Sequence, residues 1–184
     1  MPDLTSAIEA AVSSAIAAGN TAAAAAVTAA NVAGVNISAA LTGPSRLSFI
    51  HGKGNIDLPV GPGTVISLPG NTDSQLLLND PQHFKGTIDL SDVPGVAPIG
   101  LPSLIGLVGV GADHWTFSAG TDTLTLFFGS QVTDALKLVP NAAGFAVYGA
   151  AAVGPGLPGG VVISSPALTM VPPEAAMLPG AIGA

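Results

Sequence analysis

The residues of this chain that can do chemistry are few. His51, His83 and His114 are its three histidines, and each borders a turn, in FIHGKG, DPQHFKG and ADHWTF. Asp80 stands three residues before His83, and Asp113 directly precedes His114. Either pair would offer two ligands to a metal, or an acid and a base to a proton transfer, if folding brought a third group alongside. No two histidines stand four residues apart, as they would on the metal-binding face of a helix, so turn histidines at the surface are the simpler reading. The aspartates Asp57, Asp73, Asp80, Asp89, Asp92, Asp113, Asp122 and Asp134 lie mostly at chain reversals, where Asp is ordinary. Their spacing singles out no pair for glycoside cleavage, and no run has the alternating acids of a calcium loop. Cysteine is absent, which removes thiolate nucleophiles, sulfur ligands and disulfides. GPSRL at 43–47 fails as a G-x-S-x-G nucleophile elbow at its last position.

One stretch does match a binding motif. AVGPGLPGGVVISS, residues 152–165, contains G-x-G-x-x-G at Gly154, Gly156 and Gly159. A dinucleotide loop needs those glycines between a strand and a helix, whose N-terminal amides hold the pyrophosphate. Here β-branched residues and Pro166 follow, and Pro155 and Pro158 remove amide hydrogens from the loop, so a tight reversal between FAVYGAAAV and VVIS is expected. Glu174, at a distance suited to a ribose contact, is weak support for the nucleotide. GLVGVGADHW lacks the third glycine and also leads into a strand. Trp115, Phe117, Phe127 and Phe128 are expected as core residues of a hairpin, WTFSAGTDTLTLFF, with Gly120 taking the positive φ of its turn.

The elements that must position these residues fall into three zones. In residues 1–42 an Ala-rich helical segment is expected, as interface or stalk. Ser6 and Glu9 form a capping box, and Leu4, Ile8, Val12 and Ile16 make an apolar stripe that ends at Gly19. A second alanine run reaches Gly34, leaving one helix or two across 7–33. Residues 43–171 change period. RLSFI, NIDLPV, TVISLP, SQLLL, FKGTIDL, HWTFSA and TLTLFF are short runs at roughly ten-residue spacing with turn signals between them, which points to an antiparallel β-sandwich or barrel. Val93–Ala112 is an apolar insert interrupted by Pro94, Pro98 and Pro102; its prolines oppose a membrane helix and favour burial at a subunit contact. Residues 172–184 form a Pro/Gly-rich tail that is ordered only if something holds it. The fold class is therefore α+β, mainly β.

Charge sets the functional expectation. The 184 residues include four Lys and Arg against eleven Asp and Glu, 8% charged in all and −7 net, where a soluble domain is about 25% charged. No residue between Glu9 and Arg46, or between Lys137 and Glu174, is charged. Four cations cannot supply the electrostatic footprint of nucleic-acid binding. A surface so poor in charge is expected to be covered by other copies of the chain, which points to a non-enzymatic structural protein in a shell, fibre or filament, of virion or extracellular type, with no cofactor and no metal. The alternative is a lipid-facing oligomeric pore or coat. Asp3 and Glu9 stand where a secretory leader would carry Lys or Arg, so no cleavable signal is read there.

Overall fold

The computed structural model describes residues 27–28, 35–37, 46–48, 53–56, 59–70, 72–92, 94, 102–151, 159–165 and 175–183. In the first half the chain steps from one sheet to the other at each turn. β3 (Arg46–Ser48), β5 (Val65–Ser67) and β7 (Thr87–Asp89) lie side by side in the first sheet, and β4 (Lys53–Ile56), β6 (Gln75–Leu78) and β8 (Ser103–Val108) in the second, all parallel. β1 (Val27–Thr28) beside β3 and β2 (Val35–Ile37) beside β4 extend the pattern outward. The alignment stacks like on like. Ile66 lies beside Ile88 and Ile88 beside Leu138; Ile56 lies beside Leu78 and Leu78 beside Leu107.

After β8 the chain pairs mostly antiparallel. β9 (His114–Ser118), β10 (Thr123–Phe128) and β11 (Gln131–Val139) form a meander that continues the first sheet, with β11 parallel to β7. β12 (Ala146–Ala150) and β13 (Gly160–Ser165) make a hairpin laid on β8 in the second sheet. β14 (Ala175–Met177) then pairs antiparallel with β12, and β15 (Gly180–Gly183) parallel with β9. The first sheet runs β1-β3-β5-β7-β11-β10-β9-β15 and the second β14-β12-β13-β8-β6-β4-β2. Ile66, Ile88, Leu124 and Leu138 from the first sheet and Ile105, Val147, Val161 and Ile163 from the second, each fully buried, belong to one hydrophobic cluster. Burying each such side chain contributes about 1.5–3 kcal/mol.

The chain is thus mainly β, in two mixed sheets rather than the expected antiparallel arrangement. The ten-residue strand spacing is real, but successive strands enter opposite sheets, so each pairs with the next but one and the pairing is parallel. Alternation along a strand reports which face is buried and carries no information about the partner. The expected helices at Ala7–Ala18 lie outside the described residues, and within the second alanine run Val27–Thr28 is a strand. Val93–Ala112 is corrected more sharply: Ser103–Val108 is an interior strand of the second sheet, with Ile105 and Leu107 fully buried in the chain's own core. The tail is held by the chain itself, through β12 and β9, so its order gives no support to an assembly.

Candidate functional site

The two His–Asp pairs form, neither joined by a third potential metal ligand among the described residues. His83 Nδ1 lies 2.8 and 2.9 Å from the two carboxylate oxygens of Asp80, across the short 3-10 turn Pro81–His83, with the histidine largely exposed. His114 Nδ1 meets Asp113 Oδ1, and its ring stacks on Phe127 at 4.9 Å and 6°. Gly129 donates its amide to Asp113 Oδ2 at 2.8 Å. That amide, then the His114 hydrogen bond, hold the Asp113 carboxyl below its ordinary range. The pair ties the start of β9 to the β10–β11 turn. No group of three potential metal ligands is found among the described residues, and His51 lies outside them.

Two buried polar features carry no recognisable motif. Around Pro69, the Ser103 hydroxyl and the Thr72 hydroxyl both donate to its carbonyl, and Ser74 donates its amide to Ser103 Oγ, all fully buried. These hydroxyls satisfy backbone groups where the chain leaves β5. Asp134 is different. It sits on the core side of β11, 7% exposed, and Oδ1 accepts the Ala135 amide at 2.8 Å while Oδ2 has no hydrogen-bond partner. Burial pushes its carboxyl above the ordinary range, against the Ala135 amide and the charge of Lys85 and reinforced by Asp80.

The glycine motif lies between two antiparallel strands, β12 and β13. A strand follows it, Ala150 lies opposite Gly160, and a Cβ at Gly159 would come within 2.8 Å of the Ala150 carbonyl oxygen and 2.9 Å of that of Ala151. Gly159 is required by backbone against backbone; Gly154 and Gly156 lie outside the described residues. Beside it opens a groove of about 570 Å³, lined by glycines and alanines of the β8–β9 turn, β12 and β14, with Val110 and Phe128. Its lining contains no ionisable side chain. In the expected hairpin the positive φ belongs to Asp122, at 49°, instead of Gly120. Trp115 and Phe117 are in the core, whereas Phe128 is 63% exposed, because the register shift after Leu126 breaks the alternation of β10.

The surface feature with most chemical consequence is the end of the molecule where β14 and β15 terminate the two sheets. β15 is exposed along its whole length. Gly180 lies beside Trp115 and Ile182 beside Phe117, so both face the core side of the first sheet. A Cβ at Gly180 would overlap the Trp115 indole, whose Nε1 donates to the Leu178 carbonyl at 3.1 Å. Ile182, although it points to the core side, is 69% exposed. The carbonyls of Pro179 and Gly183 accept the amides of Trp115 and Ala119. In a parallel ladder, alternation turns the amide and carbonyl of Gly180 and Ile182 away from β9. No helix among the described residues is long and apolar enough to cross a membrane. Comparison of the chain with protein-family models, curated proteins and solved structures gives no match.

Proposed function

We propose that the protein is a non-enzymatic structural subunit that associates with copies of itself, as a building block of a shell, fibre or surface filament. The observation that carries this reading is the pairing of a charge-poor sequence with large apolar side chains left in solvent. Phe128, Val132, Met177 and Ile182 are each more than half exposed, on a chain only 8% charged. Scattered surface apolar residues are normal, but here few ions interrupt them, and extended uncharged surface marks contact sites. Phe128 and Val132 flank one turn, at the end of β10 and the start of β11, while Met177 and Ile182 lie in the last two strands.

Sedimentation velocity on the purified chain from submicromolar to tens of micromolar tests the proposal. The expected result is a concentration-dependent shift to dimers or larger species. A single monomeric boundary across that range would overturn it.

A further inference from the structure

We infer that the edge of β15, unpaired among the described residues, is the contact between copies, and that its occupant is β15 of a second copy in antiparallel, two-fold pairing. This rests on the reading of the chain as self-associating and names the surface that does it. An uncovered strand edge is a row of donors and acceptors whose matching ligand is another strand. Folded proteins usually protect such edges with charged side chains, Pro, bulges or very short strands; Gly180–Gly183 is short, at four residues, but carries no charge, no Pro and no bulge against β9.

Three features select a second copy as the occupant. The first is backbone register. The groups left facing outward belong to Gly180 and Ile182, so a two-fold that sets Gly180 opposite Ile182 of the other copy makes two hydrogen-bonded pairs, each exchanging two backbone bonds, around a central Ala181 pair. The second is shape. In that register Ile182, exposed although it faces the core side, lies beside Gly180 of the other copy, whose core-side face is occupied by the apolar Trp115 indole. A two-fold normal to the sheet keeps both core sides facing the same way, so each copy covers the apolar residue the other leaves bare. The third is charge. Copies of a chain at −7 repel one another, and residues 175–183 contain no charged side chain, so the repulsion is weakest where the strands would meet.

The chain has no cysteine, which makes the register testable directly. In the central non-hydrogen-bonded pair the two Ala181 Cα atoms would lie about 4.5 Å apart, within the roughly 4.4–6.8 Å a disulfide spans. Full-length Ala181→Cys should form a disulfide-linked dimer on mild oxidation, and Gln82→Cys, at an exposed position on the short turn before β7, should not. Ile182→Pro removes an outward amide that β9 does not use, and should weaken association at least tenfold in sedimentation with the melting temperature unchanged. If that variant folds poorly, Ile182→Lys gives the same readout through charge. Association that persists undiminished in the Ile182 variants, with Ala181→Cys uncrosslinked, would overturn the edge contact while leaving self-association standing. A wild type that stays monomeric at every concentration would overturn both.

Discussion

Asp134 is a carboxylate that the fold leaves half satisfied. It occupies the inward alternation of β11 shared by Leu136 and Leu138, and Oδ2 has no hydrogen-bond partner. Lys85 and Asp80 act on it with opposite sign, and burial outweighs the Ala135 amide and the Lys85 charge, holding its proton more tightly in the folded chain than in the unfolded one. The sign of the linkage follows. Stability from this group is complete below the ordinary carboxylate pKa of about 3.9 and is lost as pH rises through the higher folded value. Asp134→Asn should therefore melt above wild type at pH 7, and the gap should close toward pH 4. An unsatisfied buried polar group costs about 1–3 kcal/mol, and 1 kcal/mol is about 2–4 °C in a chain of this size. Thermal melts of both proteins from pH 4 to 8 check the sign; parallel curves would show that Asp134 does not titrate as described. Nothing in the sequence marks Asp134 among eight similar aspartates, because what distinguishes it is the face of β11 on which it falls.

At the level of elements, glycines separate backbone necessity from open space. Gly159→Ala forces a methyl against two carbonyls of the β12 end and should cost about 1–3 kcal/mol, the range for overpacking. Gly111 has no atom within 4 Å of a would-be Cβ, so Gly111→Ala should be neutral or stabilise by about 0.4–1 kcal/mol through the unfolded chain. Urea denaturation of both variants distinguishes the two roles. The same contrast explains what was legible. RLSFI, TVISLP, SQLLL, HWTFSA and TLTLFF all contain observed strands, because β-branched and aromatic runs between turn residues report local conformation directly. Gln131–Val139, the longest strand among the described residues, carries no such signal, since Asp134 and Ala135 dilute its apolar alternation. Ser103–Val108 shows no alternation because its outer positions Leu104, Gly106 and Val108 are apolar too and half-buried or buried, which periodicity cannot separate from a contact loop. The edge at Gly180–Gly183 was legible only as a Pro/Gly tail. Its strand character comes from β9, a partner more than sixty residues away in sequence.

At the scale of the whole molecule, the proposed association of a charge-poor body through uncharged strands should respond to salt in one direction. Screening weakens the mutual repulsion of molecules at −7 and removes no attractive ion pair from the contact. Self-association should therefore be at least as tight at 0.5 M as at 0.05 M salt, by roughly the loss of long-range repulsion that a Debye length falling from over 10 Å to a few Å implies; dissociation on adding salt would point to charged contacts instead. The topology also orders events in time. The parallel strands β3 to β8 can form coil by coil as the chain emerges, each new strand finding its neighbour one coil behind. β15 cannot. Its seat on β9 lies more than sixty residues earlier in the chain, and long-range pairings of this kind form late. Until residues 180–183 have left the ribosome, the Trp115 flank of β9 stays without its strand, so under the proposed contact a nascent chain lacks the very strand that would join it to its neighbours.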